Sequence, residues 1–386
     1  MPWTKAPQRS AAVAGRPSSL RPPPRDTRLD IVRGWMQVSI FISHVVGTGF
    51  AWGIHAAWGL SDSSEQFVFL SGLGLGSVFA LKSARDGFGA ARADLAGRTL
   101  HLYRMHLMVV ALFAALVLAA EMWLPLPGEV ARLGWSWLTE APWFAVPAAA
   151  TMLWQPEFMG ILSVFVWCML LLPPFMWLTE RAGAWALLVP AALYAAVQAG
   201  LIATPGLGGT EIAFDPLAWQ ALFMTGAWLG RRALMTGEAV PRRGWMMAAA
   251  SVVVVYGFWV QLVVHGFVAG PEDAIEALYG KTVLAPARLV HALALAYLVA
   301  VLVPREAAWM RAAPAAMLAM IGRHSLNVFC AGLFLSWAAS TMLARWPGHA
   351  GWLDPLLIAG GTAVLVLVAL ASERRRMRLR PARAAA

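Results

Sequence analysis

Arg33 and His44 lie eleven residues apart in the stretch "RLDIVRGWMQVSIFISHVV" (28–46). At about 100° per residue, that spacing puts both on one helix face, about 16 Å apart along the axis. Asp30 precedes Arg33 by one turn, so an acid, a guanidinium and an imidazole share a stripe. The surrounding run is apolar, and an Asp or Arg near the centre of a membrane helix costs roughly 2.5–3.5 kcal/mol on insertion scales. Asp30 and Arg33 alone also fit an interfacial pair, with Arg33 reaching towards headgroups. His44 is placed deeper, towards mid-membrane, where ionisable groups face cavities and mark function. Its titration near neutrality suits a general base.

Other polar groups interrupt apolar runs in the same way. "SDSSEQFVFLSGLGLG" carries Asp62 and Glu65 at its head, then Ser71, Gly72, Gly74 and Gly76. The small residues allow close helix packing, which leaves "DSSEQF" without an explanation. "RTLHLYRMHL" brings His101, Arg104 and the deeper His106. Lys82, His101 and Arg104 suit either phosphate groups of an anionic ligand or ordinary basic flanks of a membrane helix. Arg288 and His291 stand one turn apart, and Arg323 and Asn327 share a face in "IGRHSLNVFCAG". For each of these alone a hydrogen-bonded structural role is as good an account as catalysis. Together they predict a polar interior.

The elements that hold these groups follow from composition. The 386 residues are 60% hydrophobic and 13% charged, against about 25% charged in soluble proteins. This predicts an all-α polytopic membrane protein, and the 20 Trp residues suit interfacial belts. The formal charge of +10 sits in short segments between apolar runs, which fits topology signals rather than nucleic acid. Cys168 and Cys330 lie inside apolar runs and read as small buried hydrophobes. No convergent ligand spacing predicts a metal. Apolar runs near 29–54, 66–82, 103–124, 157–178, 183–204, 216–232, 243–267, 284–304, 314–343 and 352–372 predict about ten transmembrane helices.

Charge alternates along the connections. The basic ones hold Lys5, Arg9, Arg16, Arg21, Arg25 and Arg28; then Lys82, Arg85, Arg92 and Arg98; then Arg231, Arg232, Arg242 and Arg243; then the C-terminal "SERRRMRLRPARAAA". The acidic ones hold Asp62 and Glu65; Glu129, Glu140 and Glu157; Glu211 and Asp215; Glu272, Asp273 and Glu276. Basic residues accumulate on the cytoplasmic side, so both termini are expected there. The expected organisation is a disordered cytoplasmic tail (1–27), a transmembrane domain (28–373) and a basic cytoplasmic tail (374–386). The Trp-rich, Pro-broken segment 125–156 reads as interfacial or re-entrant on the outer face.

Five ordered segments, "RLDIVRG", "FVFLSG", "LYRMH", "FDPLAWQALF" and "IGRHSLNVF", together with Arg33-x10-His44, resemble the acyltransferase-three family of membrane-bound O-acyltransferases. Within it they resemble the OpgC-type branch, which succinylates osmoregulated periplasmic glucans. The resemblance runs from Asp26 to about residue 340. It implies a bacterial inner-membrane enzyme without a cofactor. Acyl-CoA, expected to be succinyl-CoA, is the cytoplasmic donor substrate, and a periplasmic glucan or other glycan is the acceptor. Membrane lipids are the surroundings, and a homodimer is left open.

On that resemblance, His44, Arg33, Asp30 and Glu65 form the expected catalytic set, with His44 as general base. Arg98, His101, Arg104, His106, Arg288, His291, Arg323 and Ser325 are expected on the donor. Asp62, Ser71, Trp135, Trp137, Trp219 and Gln220 are expected on the acceptor, since carboxylates accept sugar hydroxyls and aromatic faces stack on sugar rings. A reading from another class stays open: a secondary transporter or flippase for an anionic solute, which also uses buried Arg and His. No inverted repeat supports it.

Overall fold

The computed structural model describes residues 26–124, 126–210, 212–271 and 279–384. The expected tail cations Lys5, Arg9, Arg16, Arg21 and Arg25, and the acids Glu211, Glu272, Asp273 and Glu276, lie outside the described residues. The described helices are α1 (Thr27–Ser43), α2 (Ser63–Asp86), α3 (Phe88–Trp123), α4 (Glu129–Arg132), α5 (Ser136–Glu140), α6 (Pro142–Ala150), α7 (Gly160–Ala182), α8 (Leu188–Gln198), α9 (Pro216–Thr236), α10 (Gly244–Val264), α11 (Pro286–Leu302), α12 (Ala313–Arg323), α13 (Ser325–Arg345) and α14 (Ala350–Ala384). No strand occurs among the described residues. Among the described residues, six helical stretches are long and apolar enough to cross a membrane: Ser63–Asp86, Phe88–Trp123, Gly160–Gln198, Gly244–Val264, Ser325–Arg345 and Pro347–Arg378. This is an all-helical membrane protein.

Several expected runs end elsewhere, for local reasons. The first was expected over 29–54, but α1 stops at Ser43. Gly47 has φ 88°, and Asp354 then takes the Thr48 hydroxyl (2.7 Å) and the Gly49 N–H (2.8 Å). Donors and backbone that would continue the helix are thus turned away, and Gly49–Gly53 forms a 3-10 turn. His44 therefore sits at the end of α1, not at its middle. The run expected at 103–124 begins at Phe88, because Gly87 (φ 90°) turns the chain straight from α2 into α3. Lys82 and Arg98 both pair with Asp94 there. The run expected at 314–343 is two helices meeting at His324. The segment 125–156 forms three short helices, α4 to α6. From Arg374 the chain continues α14 as far as Ala384.

Two glycine contacts set the packing. On α2, a Cβ at Gly72 or Gly76 would collide with the Phe223 or Ala227 carbonyl of α9. On α9, a Cβ at Gly226 or Gly230 would collide with the Phe69 or Leu73 carbonyl of α2. The two helices meet backbone to backbone through facing G-x-x-x-G pairs, which is how membrane helices approach without a hydrophobic driving force. α1 and α12 cross in the same manner, Gly34 against Leu318 and Gly322 against Asp30. Gly72→Val is expected to force α2 and α9 apart. Overpacking costs about 1–3 kcal/mol, and a carbonyl backbone cannot swing aside, so the upper end applies. Thermal unfolding in detergent measures it, with Gly97→Val, which meets no neighbour, as the control.

The helices define two ends of the bundle. α1 starts beside the end of α11, where Arg28 Nη1 donates to the carbonyls of Ala300 (3.2 Å) and Val303 (2.6 Å). α1 finishes beside the last turns of α13, where Ser336 donates to Phe41 O and Ser340 to His44 O.

Candidate functional site at the His44 end

His44 caps α1, and its backbone N–H bonds Ile40 O (3.2 Å). Its ring folds back over the same turn, with Nδ1 2.7 Å from the Ile40 carbonyl. A carbonyl only accepts, so Nδ1 carries the proton, and in the neutral ring Nε2 keeps the lone pair. The ring packs on Phe158, centroids 5.4 Å apart. Phe158 has φ 70°, a left-handed conformation that costs about 1–3 kcal/mol in a side-chain-bearing residue and clusters at functional sites. His44 lines a cavity of about 220 Å³ with Ser64, Gln155, Glu157, Phe158 and Lys281. A lone-pair nitrogen in a polar pocket, beside a cation and a carboxylate, can accept a proton from a hydroxyl.

A buried ion cluster forms one side of this site. The capping box of α2 supplies both carboxylates: Asp62 accepts from Ser64 N–H (2.7 Å), and Glu65 accepts from Asp62 N–H (2.8 Å). This answers the question that "DSSEQF" raises. Glu65 is fully buried and takes Arg288 at 2.6 and 2.7 Å. Asp62 takes Arg288 at 3.1 Å and Lys281 at 2.7 Å. Burial pushes the Asp62 carboxyl up, but Lys281 and Arg288 outweigh it and hold it well below the usual carboxylate range. Lys281, Arg288 and the two carboxyls form one hydrogen-bonded cluster, and Lys281 joins it to the His44 cavity. Next to it, His291 Nδ1 accepts from the Ser61 hydroxyl (2.7 Å) and N–H (3.3 Å). Gly59 and Gly257 leave the space its ring fills.

Over residues 25–377 the chain matches a family model described as OpgC protein. The chain belongs to that family. No curated protein and no solved structure matches it. Membership of the OpgC family implies a transferase that modifies a glucan.

In this OpgC-family chain the expected catalytic residues are not all together. His44 lines the cavity. Glu65 is held in the ion cluster. Arg33 is not among the cavity's residues; its Nη2 donates to the Leu70 carbonyl of α2 (2.7 Å), in space that Gly74 leaves open. Asp30 is buried where α12 crosses α1. The helical stripe exists, but its three turns carry Arg33 away from the pocket.

The expected donor residues divide between the two ends. Arg98, His101 and Arg104 are exposed midway along α3, and Arg323, which pairs with Glu373 (3.7 Å) near Ser325, sits at the Arg28 end, where the neighbouring Gly322 meets Asp30. Arg288 stands at the opposite end in the ion cluster, with His291 beside it on Ser61. His106 is buried part-way along α3.

Among the expected acceptor residues, Asp62 belongs to the cluster and Ser71 lies two turns further along α2. Trp135 is buried against Trp154 and Phe113. Trp137 packs on Phe144 at 4.7 Å. Trp219 is fully buried and donates Nε1 to the carbonyls of Lys281 (3.1 Å) and Thr282 (3.2 Å). Gln220 donates to Pro190 O (2.9 Å). Trp219 thus anchors the chain that carries Lys281.

Lys281, Glu157, Gln155 and Ser64 complete the pocket and did not stand out in the sequence. One sign was legible: Lys281 is the only Lys or Arg between Arg243 and Arg288, a lone cation in an acidic connection.

Proposed function

We propose that the protein transfers an acyl group, succinyl, from coenzyme A thioester to hydroxyls of a periplasmic glucan. The observation that carries this is His44, with Nδ1 committed to Ile40 O and Nε2 left as a base in a cavity that Lys281 and Glu157 share. The acceptor hydroxyl gives its proton to Nε2 as its oxygen attacks the thioester carbon. The carbon–oxygen bond forms, the carbon–sulfur bond breaks, and the leaving thiolate takes the proton from the imidazolium. Lys281 suits the developing oxyanion or the free succinyl carboxylate. Glu157, Gln155 and Ser64 suit the sugar hydroxyls. Arg33 remains the cation for the donor, further along the same helix face.

Ten crossings with both termini cytoplasmic put the basic Arg28 end inside, with Arg98, His101, Arg104 and Arg323 towards the coenzyme A phosphates. The His44 end then faces the periplasm of an inner membrane. The test is thioester loss from labelled succinyl-CoA in membranes with and without periplasmic glucan. Loss that requires glucan, with succinyl mass appearing on it, is expected. Label crossing the membrane without thioester turnover would instead select the transporter reading.

A further inference from the structure

Between Arg33 and His44, the same face of α1 carries Gln37. The four residues Arg33, Gln37, Ile40 and His44 fall within about 60° of one another around the helix. Ile40 and His44 line the cavity, so Gln37 lies one turn beneath its floor. Gln37 is 2% exposed, and neither its Nε2 nor its Oε1 has a partner among the described residues. Buried amides normally find partners, and four other described glutamines do. Gln66, Gln198, Gln220 and Gln261 each donate to a backbone carbonyl. Among the described residues, the other glutamine with a buried unpartnered amide atom is Gln155, through Oε1, and Gln155 stands in the cavity wall. An amide oxygen without a partner thus stands in the pocket wall, though Gln155 Nε2 donates to Met152 O (3.1 Å), and a wholly unpartnered amide lies directly under it.

A primary amide offers one donor edge and one acceptor, the complement of a secondary amide. We propose that Gln37 binds an amide of the donor's pantetheine arm, on a path that runs from Arg33 past Gln37 to His44. The inference rests on the coenzyme A donor proposed above. The scale agrees with it. Gln37 lies about 10 Å below His44 along the helix axis. The second amide of the arm is seven bonds from the sulfur, roughly 9 Å when extended. With the thioester at His44, that amide comes level with Gln37.

The test compares the full-length protein in membranes with Gln37→Leu, using two donors: succinyl-CoA, and the succinyl thioester of a simple alkyl thiol without amides. The wild type is expected to prefer succinyl-CoA in KM, and Gln37→Leu to narrow that preference about tenfold or more while the KM for glucan stays put. Gln37→Met keeps the side-chain length and must show the same narrowing, which separates the effect from misfolding of the leucine variant. An unchanged preference in both variants would overturn the contact and leave Gln37 a structural amide. A wild type that consumes neither thioester would overturn the donor reading itself, and the contact with it.

Discussion

His44→Ala is expected to remove acyl transfer while the protein still inserts and folds. General-base catalysis contributes about 10²–10⁴-fold, and Lys281, the cation of the cavity, is tied to Asp62 and cannot take the proton. The fold should survive, because the half-buried ring makes its short hydrogen bond to a carbonyl in its own helix turn. His44→Asn sharpens the test, since its amide can still donate to Ile40 O but supplies no base. Both variants are assayed by succinyl transfer to glucan beside a thermal unfolding curve. Activity within a few fold of wild type in either would remove His44 from the chemistry.

Arg288→Ala is expected to give the largest loss of stability. It would strip the fully buried Glu65 of its guanidinium partner and leave two carboxyls side by side. Removing one partner of a buried ion pair costs about 3–5 kcal/mol. Arg288→Lys should not restore it, because a single ammonium cannot span the two carboxylates as the forked guanidinium does. Neutralising both sides, Arg288→Met with Glu65→Gln, should recover most of the loss. Intrinsic Trp fluorescence during thermal unfolding reads all three. A cost below about 1 kcal/mol for Arg288→Ala would mean a solvated cluster of little structural weight.

The glycines of α2 show how far the sequence could be read. Gly72, Gly74 and Gly76 pointed to close packing. In the structure Gly72 and Gly76 face α9, while Gly74, near the opposite side of the helix, makes room for Arg33. The division between Arg98 and Arg288 was also within reach. Arg288 opens a run that follows an acidic connection, so the charge alternation already put it away from the basic end. The pairing of Arg288 with Glu65, 223 positions apart, was not within reach. Nor was the end of α1 at Ser43, which depends on Asp354 far along the chain.

By itself the sequence determined the class: a helical membrane protein with a polar interior and an Arg–His stripe on its first long helix. Hydropathy and helical spacing are properties of neighbouring residues, so they survive without knowledge of the fold. Only the tertiary structure decided which polar groups meet. It put His44 with Lys281 and Glu157, joined Glu65 to Arg288, and held Arg33 against Leu70, out of the pocket. Those outcomes depend on where helices cross and stop, and crossings are set by contacts between residues hundreds of positions apart.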